Sequence, residues 1–128
     1  MRLVLDSHVF FWWSMNHPKL SRAARMAIED PDNEVYASAV VAWEMATKVR
    51  LGKWSEARPM AMSFDEVVIR NGFLPLSISP VHARVAGFLP GRHGDPFDRM
   101  LAAQAQVEQM PLVTADPAFR AFGTRVIW

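Results

Sequence analysis

The sequence predicts an α/β fold, a three-layer α/β/α arrangement around a mostly parallel central sheet of about five strands. Five short runs rich in apolar or β-branched residues, 3–5 (LVL), 34–38 (EVYAS), 75–78 (PLSI), 111–115 (PLVTA) and 125–128 (RVIW), alternate with longer segments that carry helix signals. The runs are apolar throughout, as strands covered on both faces are. The 128 residues, 51% of them hydrophobic, suit one compact domain. No linker, repeat or low-complexity stretch divides them, so residues 1–128 read as a single domain.

Each element has a local reason. After LVL, Asp6 can cap a helix SHVFFWW, and Ser21 precedes RAARMAIE as a second N-cap. The strand at 34–38 feeds a helix running from near Ser38 to Gly52. Ser63 and Glu66 have the spacing of a capping box, with Gly72 as the stop. Ser79–Pro80, Asp95–Pro96 and Asp116–Pro117 each place a capping residue ahead of a proline at the first helical position.

Composition narrows the function. The balance of 14 Lys+Arg against 13 Asp+Glu, a formal charge of +1, is too small for broad phosphate-driven nucleic-acid binding, so any such contact is local. With no cysteine there is no disulfide, thiolate nucleophile or cysteine metal site. The opening MRLVLD meets an acid before a signal-peptide core can develop, and no run has the length of a membrane span, so a cytoplasmic protein is expected.

Ligands of open α/β sheets collect at the carboxyl ends of the strands, and Asp6 and Asp116 directly follow LVL and LVTA. Asp98 would sit at N3 of a helix whose neighbouring positions at i+3, i+4 and i+7 are Leu101, Ala102 and Ala105, an apolar face on which a carboxylate is costly. Glu44 shares its helix with Val40, Val41 and Leu51, and its structural alternative is an exposed i,i+4 pair with Lys48. Asp95 reads mainly as a helix cap. Taken singly, each acid also has a structural role. Were Asp6, Glu44, Asp98 and Asp116 to converge, each pair about 4 Å apart would repel by roughly 4 kcal/mol at an effective dielectric near 20. Lys48, Arg92 and Arg99 offer partial neutralisation, and an all-oxygen donor set suits a hard cation, Mg²⁺ or Mn²⁺.

In this order and at these spacings, LVLDSHVFFWW, SAVVAWEMATKVRLGK, HGDPFDRMLAAQA and LVTADPAF resemble the PIN-domain nucleases, and within them the VapC-type ribonuclease toxins of bacterial toxin–antitoxin pairs. The resemblance spans the chain. It implies a PIN-like fold, with Asp6, Glu44, Asp98 and Asp116 as the catalytic, metal-holding cluster, Asp95 as an auxiliary acid, and Ser7 and Thr114 as polar supports. It also implies Mg²⁺- or Mn²⁺-dependent hydrolysis of RNA phosphodiesters, by one ion or two, in a homodimer. A VapB-type antitoxin would restrain the enzyme by inserting a basic side chain among the acids.

Other features are less specific. His8, His17, His82 and His93 lack zinc-site spacing; Arg92 and His93 read as solvated surface, with RNA phosphate contact as the alternative. Phe10, Phe11, Trp12 and Trp13 cover more than one helical face and suit core packing or a subunit or antitoxin interface. Lys48, Arg50, Lys53 and Arg58 form a solvated face or an RNA path. Two rival functions stand beside the nuclease. A receiver-type signalling domain wants paired acids after its first strand and a late-strand lysine, and LDSH and LVTADP supply neither. A non-catalytic PIN-like binding module would not need the acids.

Overall fold

The computed structural model describes residues 1–128 and forms one five-stranded, all-parallel sheet in the order β3-β2-β1-β4-β5. In chain order the elements are β1 (Arg2–Leu5), α1 (Ser7–Ser14), α2 (Arg22–Glu29), β2 (Glu34–Ser38), α3 (Ala39–Arg50), α4 (Arg58–Met62), α5 (Phe64–Arg70), β3 (Leu74–Leu76), α6 (Pro80–Phe88), α7 (Pro96–Val107), β4 (Leu112–Val113) and β5 (Val126–Ile127). Short 3₁₀ segments cover Ser55–Ala57 and Pro117–Phe122. The chain builds outward from β1 through β2 to β3, then returns to place β4 on the other side of β1. The carboxyl ends of β1 and β4 therefore flank the topological switch point, where a crevice opens in sheets of this kind.

The pleat explains why the strands lack a polar face. Successive side chains point to opposite sides, so Leu3 and Leu5 join Val35, Ala37 and Val113 in one core. Val4 and Leu112 join a second core beneath α7. The first core is closed by Val9 and Phe10 of α1, Ala24 and Ile28 of α2, Met45 of α3 and Val67 of α5. The second is closed by Ala86 of α6, by Leu101, Ala102 and Ala105 of α7, and by Phe119. The aromatic run of α1 is thus largely core: Phe10 and Phe11 are buried, while Trp12 and Trp13 pack against the same cluster half-buried.

Most expected caps form. Asp6, Ser21, Ser38, Ser79, Asp95 and Asp116 each accept a hydrogen bond from a backbone N–H of the helix they precede. The Ser63–Glu66 capping box does not. Ser63 closes α4, its N–H bonding back to Pro59, while opening α5, and its φ of −119° and ψ of 30° are not the extended geometry from which a side chain reaches the next turn. Gly72 ends α5 as expected, with φ +70° and Phe73 N–H returning to the Val68 carbonyl. The strand expected at 75–78 lies at Leu74–Leu76, and those expected at 111–115 and 125–128 shrink to two residues each. No helix is long and apolar enough to cross a membrane.

One buried polar group ties the two layers together. Gln104, fully buried on α7, accepts from the Ser38 hydroxyl at 2.5 Å and donates to the Ser77 carbonyl at 3.3 Å, so the switch from β2 into α3 is fastened to the opposite helix layer. Gln104→Leu keeps the volume but strands both partners. It is expected to lower stability by about 1–3 kcal/mol in urea unfolding, with little change in the slope of the transition.

Candidate active site

Five acids line one cleft of about 510 Å³ at the switch point: Asp6, Glu44, Asp95, Asp98 and Asp116. Asp6 follows β1 and is only 6% exposed. Its two oxygens are held by different elements: Oδ1 accepts from the Ser7 N–H at 2.6 Å, and Oδ2 accepts from the Thr114 hydroxyl, beyond β4, also at 2.6 Å. Ser7 donates its own hydroxyl proton to Glu44 Oε1 at 2.8 Å, so one serine bridges the acids of α1 and α3. Thr114 Oγ1 in turn accepts from the Asp116 N–H at 3.0 Å. The expected polar supports, Ser7 and Thr114, thus aim the first acid and anchor the fourth.

Glu44 lies on the inward face of α3, 5% exposed beside buried Val40 and Val41, whereas Leu51, also placed near that face by the sequence, is exposed. The i,i+4 partner Lys48 does reach it, at 2.5 Å, but the pair is an inward one, because the carboxylate is buried. Of the three cations considered as neutralisers, Lys48 alone serves. Arg99 spends its guanidinium on the carbonyls of Ala86, Gly87, Leu89 and His93, bracing the loop before α7. Arg92 is exposed and makes no ion pair.

Asp95 caps α7, its Oδ1 accepting from the N–H groups of Phe97 at 2.8 Å and Asp98 at 3.2 Å. Asp98 sits one turn in, 15% exposed, above the buried Leu101, Ala102 and Ala105. His93 was expected at the solvated surface; instead its Nε2 lies 2.7 Å from Asp98 Oδ2. The loop braced by Arg99 brings it there, a contact between a loop and a helix that helical spacing does not reveal. His82, for which the sequence offered no role, is buried, held between the Ser79 N–H and Glu108.

Crowding of like charges sets the electrostatics. Burial raises the Asp6 carboxyl above the usual carboxylate range, assisted by the charge of Glu44 and opposed by the Thr114 and Ser7 hydrogen bonds. Burial likewise pushes Asp98 up to about 6, with the charges of Asp95, Asp6 and Glu44 adding to it and the His93 hydrogen bond opposing it. His93 is raised by its hydrogen bond to Asp98 and by the neighbouring acids. Burial works against the Lys48 ammonium, but the hydrogen bond and charge of Glu44, with Asp95 and Asp98, outweigh it and hold the lysine charged.

As arranged, no group of three acidic or histidine side chains could hold a metal ion between its members. The reason is visible in the contacts. Glu44 is turned to Lys48 and Ser7, Asp98 to His93, and Asp116 to the Ala118 N–H that it caps. The donor set is nonetheless that of a hard divalent cation, all oxygen and strongly acidic, and Lys48 and His93 stand where extra positive charge is needed.

A family model described as PIN domain matches residues 3–124. Ribonuclease VapC22 of Mycobacterium tuberculosis is 33% identical over 120 residues, covering 93% of this chain and 90% of that protein. The crystal structure of VapBC2 from Rickettsia felis bound to a DNA fragment from their promoter superposes with a TM-score of 0.71 at 19% identity, covering 98% of this chain and 97% of the other. VapBC-5 from Mycobacterium tuberculosis superposes at 0.63 and 22% identity, covering 98% and 94%. These two likenesses show the fold: a parallel sheet between helix layers, as the sequence predicts.

The raised carboxyls have a measurable consequence. An acid whose folded pKa exceeds its unfolded value binds its proton more tightly in the fold, so stability is lost as pH rises from the unfolded value, 3.8, to the folded one, about 6 for Asp98. His93 adds stability below its unfolded value of 6.5 and loses it above, in the same direction. Thermal unfolding in chelator should therefore show a melting temperature that falls from pH 4 to 6 and again above 6.5. Asp98→Asn should flatten the first fall, worth about 1–2 kcal/mol after allowing for partial solvation.

Proposed function

The chain belongs to the PIN-domain family, and from that premise we propose that it is an endoribonuclease dependent on Mg²⁺ or Mn²⁺ and the toxin of a VapBC-type toxin–antitoxin pair. The observation that carries the reading is the meeting of five acids in one cleft at the switch point, two of them more than nine-tenths buried. A fold built only to bind a protein has no use for carboxylates held at that cost.

Asp6, Glu44, Asp98 and Asp116 would hold the ion or ions. Bound there, a divalent cation supplies positive charge to the phosphoryl oxygens and acidifies the attacking water. The chain's own residues supply the positioning. Ser7 and Thr114 keep Asp6 aimed into the cleft, and Ser7 keeps Glu44 beside it. Lys48 and His93 offset the charge of Glu44 and Asp98 in the cleft and would supply positive charge beside the phosphate. Asp95 starts α7 and thereby sets the position of Asp98.

The same reading takes residues 1–128 as one domain acting in the cytoplasm as a homodimer, and apolar side chains left in water support protein partners. Trp43 and Met62, 54% and 77% exposed, share one hollow beside α3.

Two experiments test this. Purified protein with Mg²⁺ or Mn²⁺ should cleave RNA from a broad panel. Asp98→Asn should lower kcat at least a hundredfold with its fold intact by circular dichroism. Asp95→Asn, which still caps, should lose much less. Equal loss in both at unchanged melting temperature would move Asp95 into the catalytic set; no metal-dependent cleavage at all would favour the non-catalytic module. The antitoxin is expected to place an arginine among the acids, pairing with carboxylates in a forked geometry. Deleting its basic tail should then weaken inhibition measurably, and undiminished inhibition would rule the inserted arginine out.

A further inference from the structure

The acid cleft does not end at the acids. It passes His8 and Trp12 of α1 and Lys19 in the segment that follows, and these three residues also line a second hollow of about 400 Å³ that reaches His17 and Trp54. The rings there are gathered. His8 stacks on Trp54 with centroids 4.5 Å apart and planes 19° apart, Trp12 lies 5.6 Å from His8, and His17 stands 6.3 Å from Trp12. His8 and Lys19 are exposed, and Trp12 and Trp54 half-buried. His8 is two residues beyond the buried Asp6, and Trp12 is four residues, about 6 Å, further along the same helix.

This hollow answers a problem set by the charge. At a net charge of +1 and with an acid-lined centre, the phosphate contacts open to RNA are local, and contacts to the bases add to them. Aromatic faces bind nucleobases without needing net charge, each stacked base contributing about 1–3 kcal/mol, and an adjacent lysine suits the phosphate between bases. Only an unpaired base can enter such a hollow. We propose that the hollow formed by His8, Trp12, His17, Lys19 and Trp54 receives the nucleobase adjoining the scissile phosphate. The inference rests on the ribonuclease reading and deepens it by naming the residues that hold a base of the substrate.

The test uses a short single-stranded RNA that the full chain cleaves with Mg²⁺ or Mn²⁺. The nucleotides on either side of the cut are replaced in turn by abasic ribose. One replacement should lower kcat/KM about tenfold or more, mainly through KM, and the same RNA annealed into a duplex should be cleaved poorly. His8→Ala is the protein-side change, because His8 is exposed whereas Trp12 and Trp54 pack against the core. It should weaken cleavage of the intact RNA several-fold yet leave cleavage of the affected abasic RNA unchanged, since the partner of the ring is already gone. Cleavage indifferent to both abasic positions would overturn the inference and leave the ribonuclease standing. So would independent, fully additive losses, which would point to a peptide or another ligand in the hollow. Failure to cleave any RNA would overturn both readings.

Discussion

Asp6 and Glu44 are two carboxylates nearly out of water, bridged by a single serine whose N–H bonds to the first and whose hydroxyl bonds to the second, and much of the chain is arranged around the cost of keeping them there. An isolated buried carboxylate is not tolerated; it is satisfied, paired or neutralised. All three remedies appear. Ser7 and Thr114 satisfy Asp6, Lys48 pairs with Glu44, and the raised pKa of Asp6 shows that the remaining strain is met by favouring its proton. The donors come from α1, from the end of β4 and from α3, so the site exists only when three separate parts of the chain are docked.

The parallel sheet makes that docking possible. Because β1 lies between β2 and β4, whatever follows each of these strands emerges at one edge of the sheet. Asp6 and Thr114 leave adjacent strands, and the Asp6 N–H itself bonds to the Val113 carbonyl, which fixes the spacing between the first and last acid-bearing segments. The same edge receives the start of α3, fastened through Ser38 to Gln104 in the opposite layer.

Several polar residues hold two positions at once. Asp6, Asp95 and Asp116 cap the helical segments that follow them while lining the cleft. A capping carboxylate uses an oxygen on backbone N–H groups that would otherwise go unpaired, and it is held rigidly by doing so. The choice between cap and chemistry for a given acid is therefore not exclusive. What separates Asp98 from Asp95 is the surface beneath: Asp98 stands over the apolar face of α7 and pairs with a histidine brought in by a loop, whereas Asp95 faces the backbone of its own helix.

Much of this was decided by local sequence. Apolar runs between capping residues determined a parallel α/β sheet, and acids placed directly after LVL and LVTA determined that the site lies at its carboxyl edge, because strand direction and turn chemistry are local properties. The partners of the acids were not local. The spacing of Glu44 and Lys48 allowed a pair but could not say that it points inward; burial by Val40 and Val41 against the sheet decided that. The spacing of His93 to Asp98 spoke only of adjacency, until Arg99, by gripping the Ala86, Gly87 and Leu89 carbonyls at the end of α6 and that of His93 in the loop, folded the loop over its own helix. Ser63 was drawn into a helix–helix junction, and its capping box lost to that geometry. Charge compensation in a crowded site depends on distances between side chains from different elements, and those distances exist only once the layers have packed.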